Sequence, residues 1–247
     1  MRSSILLGAL AAVLLSGCGR LNPIPVGYDL VRLGPAADTI VAAGEALGGV
    51  KAWRGNGANT MALVTTYDDA GEKYVNVQSQ VIDAVGGHIA ATAKTNTGRW
   101  RASYTSGGFF WLSNAKALDG MSSPEMEQTL ATILHRFAGP FNIVAGRERA
   151  GEPEQVWLEG KTLVRVPVAG QDEPLTYYFD AATGLLQMVT AGADEPGRDG
   201  TVTFYTYQML PSGLTVPKHI RVVRIGRHVL VGPTPVIDVE FAEVRMD

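Results

Sequence analysis

The chain has 247 residues, with 21 Lys and Arg against 24 Asp and Glu, a formal net charge of −3, and 46% hydrophobic residues. This length fits one or two domains, and many all-β folds use it as one. The slightly acidic balance disfavours nucleic-acid binding, because binding to phosphates needs a clustered basic surface. A single cysteine excludes an intrachain disulfide framework and a cysteine-based zinc site.

The first residues have the pattern of a secretory signal peptide. Arg2 provides a positive start, and an uncharged apolar run follows over residues 5–15. This run is too short to span a bilayer as a helix, which takes about 20 residues. The alternative is a buried N-terminal helix, which the poor helix formers at residues 16–19 disfavour.

Leu15, Ser16, Gly17 and Cys18 resemble the lipobox of bacterial lipoproteins, and Cys18 is the only cysteine in the chain. The resemblance implies removal of residues 1–17 and attachment of a diacylglycerol to Cys18. Two acyl chains hold a protein stably on a membrane, whereas one chain binds marginally. The residue after the cysteine is Gly rather than Asp, which favours the periplasmic face of the outer membrane and leaves that of the inner membrane as the alternative.

The segment after the cysteine is predicted to be a flexible tether. Residues 19–35 contain three prolines and no helical or strand periodicity. Fully extended, they reach about 56–61 Å, which is enough to hold a domain clear of the lipid headgroups. The lipidated cysteine and tether therefore occupy residues 18–35, and one domain is predicted over residues 36–247.

Two helices are predicted within this domain. The first runs from Ala36 to Val50, where apolar residues recur at steps of three and four before a pair of glycines. The second runs from Ser123 to Ala138, with a serine cap, Pro124 in its first turn and a Gly-Pro stop after it. Its apolar face consists of Met126, Leu130, Ile133, Leu134 and Phe137.

Most of the remaining sequence alternates with a period of two, which predicts strands. The apolar faces are Met61-Leu63-Thr65, Val75-Val77-Ser79-Val81, Trp100-Ala102-Tyr104, Leu175-Tyr177-Phe179, Val202-Phe204-Thr206, Ile220-Val222 and Ile237-Val239-Phe241. The short turns between them predict an antiparallel meander, because parallel strands need longer crossovers. Two helices cannot cover so large a sheet, so this mainly β (α+β) fold is expected to curl into a half-barrel.

The order of these elements resembles the LolA/LolB-like family of periplasmic lipoprotein carriers and receptors. The matching segments are the opening ADTIVAAGEALGGVKAW, the strand GRWRASYT, the FFWL run, the helix SPEMEQTLATILHRF, the hairpin YYFDAATGLLQMV and the closing GLTVPKHIRVVR. The resemblance is one of layout and covers residues 36–247. It implies an N-terminal helix, a meander curled into a half-barrel and an inserted lid helix, and the lipid anchor fits the receptor branch.

Such a fold implies an apolar cavity for acyl chains that needs little polar recognition. The candidate lining residues are Trp100, Tyr104, Phe110, Trp111, Met126, Leu130, Leu134, Phe137, Phe179, Met188 and Phe204. The alternative is that these residues form a filled core. Phe109, Phe110 and Trp111 cannot all face inward on one strand, so at least one is expected to line a mouth, meet a partner or membrane, or lie under a loop.

Catalytic and metal-binding motifs are missing from the sequence. The four histidines have no HExxH or HxxxH spacing, and there is no G-x-S-x-G nucleophile elbow. Acidic residues cluster beside prolines, which is typical of solvated loops rather than paired acid and base groups. We therefore expect no catalytic residue, no metal, no cofactor and no enzymatic activity.

The leading hypothesis is a membrane-anchored periplasmic lipoprotein that binds a lipid or acyl chain in the half-barrel. Its partners would be the membrane, through the lipid anchor, and a lipid or acylated protein as ligand. Its role would be lipid or lipoprotein transport to the outer membrane. The alternative is an anchored module with a filled core that binds another envelope protein.

Overall fold

The computed structural model describes residue 28 and residues 33–54, 57–68, 70–139, 141–144, 149–169, 174–192, 200–225 and 234–246. The predicted signal peptide and Cys18 lie outside these residues. In the described part of the chain, thirteen strands form one sheet in which every recorded pairing is antiparallel. The predicted mainly β fold is confirmed.

The strands follow one another along the chain with mostly short connections. They are β1 (Ala58–Asp68), β2 (Gly71–Asp83), β3 (His88–Thr95), β4 (Gly98–Thr105), β5 (Phe110–Ser113), β6 (Arg149–Ala150), β7 (Glu154–Leu158), β8 (Lys161–Ala169), β9 (Leu175–Asp180), β10 (Leu186–Ala191), β11 (Gly200–Met209), β12 (Thr215–Ile225) and β13 (Thr234–Met246).

The last strand joins two meanders into one sheet. The spatial order is β5-β4-β3-β2-β1-β13-β12-β11-β10-β9-β8-β6, with β7 paired to β8. β13 lies between β1 and β12, and it pairs with both in antiparallel fashion. The N-terminal meander (β1–β5) and the C-terminal meander (β8–β12) are therefore two wings that meet at β13.

The helices are α1 (Ala37–Ala46), α2 (Val50–Trp53), α3 (Ser123–Ala138) and α4 (Phe141–Val144), with 3-10 turns at Gly34–Ala36 and Ala115–Leu118. The predicted first helix, Ala36 to Val50, is too long: α1 ends at Ala46, and a separate short helix, α2, begins at Val50. Gly48 and Gly49 separate the two with φ angles of 102° and 85°, which a right-handed helix cannot contain.

α3 has the predicted boundaries because local signals define both of its ends. The Ser122 Oγ accepts a hydrogen bond from the Glu125 backbone N–H at 3.4 Å, and the Glu125 carboxylate accepts one from the Ser122 N–H at 2.8 Å. These two bonds form a capping box that satisfies free N–H groups of the first turn. Gly139 ends the helix with a φ of 47°.

The sheet curls around α3. This helix contacts β3 and β4 in one wing and β12 in the other, although β2, β1 and β13 lie between those strands. A helix about 10–12 Å wide reaches both wings only if the sheet bends around it. We call the side of the sheet that carries α3 the inner face and the opposite side the outer face.

A layer of aromatic side chains fills the space between the helices and the inner face. The Trp53 ring lies 5.8 Å from that of Phe137 and 5.1 Å from that of Phe141, and Phe137 lies 5.1 Å from Phe241. Tyr28, which the sequence placed in the tether, is also buried in this core. The packed domain therefore includes at least one residue N-terminal to position 36.

The alternating strands do not all bury their predicted apolar face. On β1 and β2, Met61, Leu63, Val75, Val77 and Val81 lie exposed on the outer face. The inner face of these two strands carries smaller or polar residues instead, namely Ala58, Thr60, Ala62, Val64, Gln78, Gln80 and Ile82, all of which are buried. No helix among the described residues is long and apolar enough to cross a bilayer.

Candidate functional site

The candidate site is the interface between α3 and the inner face of the sheet, which we call the inner site. From the helix, Met126, Leu130, Leu134 and Phe137 are all buried in this interface. Their spacing of three and four residues places them on one side of the helix. The predicted apolar face of α3 is thus the face that covers the sheet.

The sheet contributes candidates from both wings. Trp100 on β4 and Phe179 on β9 are fully buried in the same hydrophobic core. Tyr104 and Phe110 are half-buried and pack against that core, and the Tyr104 ring lies 6.3 Å from the ring of His135 on α3. Eight of the eleven candidate side chains therefore belong to one apolar core.

The other three candidates lie on the outer face. Trp111 is 48% exposed, and it lies opposite Ser103, whose strand neighbour Ala102 is buried on the inner face. Phe204 is 44% exposed, and Met188 is half-buried directly across from it. Because successive side chains of a strand point to opposite faces, these three residues cannot line the inner site.

A short row of buried polar groups crosses the inner face. Gln80 donates a hydrogen bond of 2.9 Å to the Oε1 of Gln78, and the Thr60 hydroxyl donates one of 3.4 Å to Gln80. The Gln78 side chain is completely buried, and its Nε2 has no hydrogen-bond partner among the described residues. This row was not predicted from the sequence. On β2 the residues that alternate with it, Val75, Val77 and Val81, are apolar, so the period-two pattern drew attention to the opposite face of the strand.

The start of α3 is attached to β2 through exposed polar groups. Lys73 forms an ion pair with Glu125 in the first turn of the helix, and both side chains are partly exposed. The hydrogen bond from Lys73, together with those from Ser122, lowers the pKa of Glu125 to about 2. An exposed ion pair of this kind stabilises a protein by about 1 kcal/mol or less.

Three clefts lie beside or away from the inner site. One of about 620 Å³ lies on the outer face of the N-terminal wing, and one of about 520 Å³ lies along β6, β8 and β9. A third, of about 410 Å³, lies near the start of α3 and is lined by polar residues that include Lys73, Tyr74 and Asn76. Of the eleven candidate side chains, only Trp111 lines any of these three clefts.

The third cleft adjoins the inner face at a polar position. Burial raises the pKa of Tyr74 to about 12, so its hydroxyl stays protonated at neutral pH. Asn76, two residues further along the same face of β2, has a buried Oδ1 without a partner among the described residues. Between this cleft and the core, the Tyr74 hydroxyl can therefore donate a hydrogen bond and the Asn76 Oδ1 can accept one.

The described residues hold no group of three or more His, Cys, Asp or Glu side chains that is close enough to bind a metal ion. His219 contacts Asp238, and Arg221 lies 3.9 Å from the same carboxylate. These partners lie on β12 and β13, where they form a cross-strand ion-pair network.

No model of a known protein family matches the sequence, and no curated protein sequence matches it. Among solved structures, the chain is similar to a LolA superfamily protein from Nitrosomonas europaea, with 9% identity, a TM-score of 0.52, and coverage of 86% of this chain and 93% of that one. An outer membrane lipoprotein-sorting protein domain from Vibrio parahaemolyticus has 10% identity, a TM-score of 0.48 and the same coverage.

A DUF1329 family protein from Desulfovibrio piger matches over the same shares of the two chains, with 8% identity and a TM-score of 0.46. The likeness to the Nitrosomonas structure extends over most of both chains and establishes the fold alone. The thirteen-stranded curled sheet with its inserted helix is therefore a LolA-like half-barrel.

Proposed function

We propose that this chain is an envelope lipoprotein that binds a lipid or acyl chain between α3 and the inner face of the sheet. It would take part in lipid or lipoprotein transport to the outer membrane. The observation that carries the proposal is the continuous apolar interface in which eight candidate side chains meet. An amphipathic helix that lies across a curled sheet is a cover that an apolar ligand can replace.

The ligand would have to displace α3, because the helix packs directly on the sheet in this structure. Exposing the five apolar side chains of α3 costs about 8–15 kcal/mol at roughly 1.5–3 kcal/mol for each. An acyl chain of about fifteen methylenes returns about 12 kcal/mol at roughly 0.8 kcal/mol for each buried CH₂. The two free energies are of similar size, so a long acyl chain can take the place of the helix.

The polar row on β2 supports the same site. The unpartnered Gln78 Nε2 can donate a hydrogen bond, and the unpartnered Asn76 Oδ1 can accept one. A buried polar atom without a partner costs about 1–3 kcal/mol, so a carbonyl or hydroxyl of a lipid head would remove a penalty there. The partly exposed pair of Lys73 and Glu125 leaves the start of α3 easy to detach.

Ligand binding is tested with the full chain carrying Cys18→Ser, purified without detergent and incubated with lipid vesicles. Native mass spectrometry should detect a bound lipid, and affinity for fatty acids should rise by about 0.8 kcal/mol for each added CH₂. Glu125→Gln should speed binding because it weakens the attachment of α3, and Glu127→Gln on the same helix is its control. Absence of bound lipid and of any chain-length dependence would exclude the inner site.

The anchor is tested separately in cells. We expect the protein to be found in the membrane fraction with a mass increase from acylation at Cys18. Cys18→Ser should remove that mass and release the protein from the membrane. A wild-type protein without the modification would leave a periplasmic carrier rather than an anchored receptor.

The second candidate function is an anchored interaction module with a filled core. The close ring contacts of Phe137 with Trp53 and Phe241 favour it, because such packing leaves little free volume around the end of α3. In that case α3 never leaves the sheet, and crosslinking in membranes should capture an envelope protein while lipid-binding assays stay negative.

A further inference from the structure

The outer face of the N-terminal wing carries a cleft of about 620 Å³ that belongs to no part of the inner site. It extends over β13 and β1–β5, with Arg245 at one side and Trp111 at the other. Six adjacent strands at about 4.8 Å spacing make it about 24 Å long. Its volume lies within the range of roughly 300–1,000 Å³ that is typical of small-molecule sites.

The floor of the cleft is made of small side chains between larger ones. Ala90 lies directly between Val81 on β2 and Ser103 on β4, and Ser103 lies opposite Trp111. Met61 lies opposite Ser79 on the same face, and Thr92 follows on β3. The exposed Met61, Val81 and Trp111 therefore form an apolar track that no described residue of the chain covers.

The cleft is strongly basic along β4, the strand next to the one that carries Trp111. Arg99 and Arg101 are exposed on β4, two residues apart and thus on the same face of the strand. Neither guanidinium forms an ion pair with a described residue, whereas Arg245 at the opposite side is paired with Glu243 at 3.3 Å. The unpaired positive charge is therefore concentrated at β4.

Lys94 lines the third cleft rather than this one, but it places a further positive charge beside Arg99 at a cost to the fold. It lies directly opposite Arg99 in the β3–β4 ladder, and both side chains are exposed. Like charges in directly opposed positions destabilise a sheet, whereas a bound anion between them would be stabilising. This arrangement favours a negatively charged group over β4 in the cleft.

We propose that the cleft binds a single-chain anionic amphiphile of the long-chain fatty acid type. The carboxylate would lie between Arg99 and Arg101, and the hydrocarbon chain would follow the apolar track toward Val81 and Met61. A concave cleft of this size accepts one molecule rather than a flat bilayer. An acidic peptide would match the arginines but would leave the apolar track without a complementary partner. This site is independent of the proposed inner site.

Binding is measured with the full chain carrying Cys18→Ser and a bromine-labelled long-chain fatty acid below its critical micelle concentration. Bromine quenches nearby tryptophan fluorescence, and Trp111 lines the cleft while Trp100 is buried in the inner site. We expect saturable quenching that Trp111→Phe removes, and an affinity that falls as salt is raised. The neutral monoacylglycerol with the same chain should bind at least tenfold more weakly.

The double variant R99Q/R101Q should lower the affinity for the fatty acid at least tenfold, and R99K/R101K should restore most of it. R221Q/R224Q removes the same charge from β12, outside the cleft, and should leave the affinity within twofold. Circular dichroism and thermal melting confirm that each variant is folded.

The proposal is overturned if R99Q/R101Q binds the fatty acid as tightly as the wild type, if the β12 variant weakens binding equally, or if an acidic peptide competes at lower concentration than the fatty acid. Quenching that persists in the double variant Trp111→Phe/Trp157→Phe, in which both exposed tryptophans are replaced, and that is insensitive to salt would assign the ligand to the inner site instead. That result would support the proposed function and would exclude the binding site on the outer face.

Discussion

The two faces of the N-terminal wing use the same strands for opposite purposes. On the inner face, buried residues such as Ala62, Val64 and Trp100 contribute to a closed core. On the outer face, Met61, Val81 and Trp111 stay exposed beside unpaired arginines. The difference teaches that apolar character alone does not identify the core of a sheet, because the helices decide which apolar face is covered.

The largest expected effect comes from removing a buried aromatic ring from the inner face. Phe137→Ala should reduce the free energy of unfolding by about 3–5 kcal/mol, because Phe137 is fully buried between Trp53 and Phe241. Urea denaturation measures the loss. Phe204→Ala on the outer face is the matched control, and a change there of more than about 1 kcal/mol would contradict the assignment of the two faces.

The next effect tests the contact between α1 and the C-terminal wing. Gly184 has a φ of 73°, and a Cβ placed there would lie 3.1 Å from the carbonyl oxygen of Ala42. Gly184→Ala should therefore cost about 1–2 kcal/mol from backbone strain, and more from the clash. Gly213→Ala has the same kind of strain at φ 85° but open space around it. Equal losses in thermal unfolding would show that α1 does not press on this turn.

A smaller effect tests the ion pair and capping box through which Glu125 holds the start of α3. The pKa of Glu125 is lowered in the folded state, so its contribution is complete above pH 4.5 and is lost as the pH falls toward 2. Glu125→Gln should cost about 1 kcal/mol at pH 7 and should flatten this acid dependence. Chemical denaturation between pH 2.5 and 7 measures both, and Glu127→Gln should behave as the wild type.

The smallest effect concerns the outer face and has the opposite sign. Arg99→Gln should stabilise the fold by about 0.2–1 kcal/mol, because it removes the like charge that faces Lys94. Arg101→Gln is the control, since its partner across the ladder is the uncharged Thr92. If Arg99→Gln destabilises the protein, the two cations are not in conflict and the argument for a bound anion is weakened.

Much of the fold follows from local signals in the sequence. α3 was predicted at its observed boundaries because a serine cap, a first-turn proline and a terminal glycine act within a few residues. The first helix was predicted too long, since the positive φ of Gly48 and Gly49 interrupts it. The antiparallel meander followed from short turns, but the insertion of β13 between β1 and β12 joins strands that are far apart in the chain.

The candidate site was predicted less completely, because it also depends on contacts between residues that are far apart in the chain. Residues on α3 could be assigned to one face because a helix has a single apolar side. Trp111, Met188 and Phe204 could not, because a period of two shows that the faces of a strand differ without showing which face is covered. The buried Gln78 and Gln80 were hidden by the apolar residues that alternate with them.

The sequence by itself determined the antiparallel strands, the α3 helix and its apolar side, because these depend on capping, spacing and turn residues. Only the tertiary structure decided which sheet face is covered, that α3 closes directly on it, and that Arg99 meets Lys94 beside an open apolar track. Those features depend on contacts between residues that are distant in the chain, and no local sequence pattern predicts such contacts.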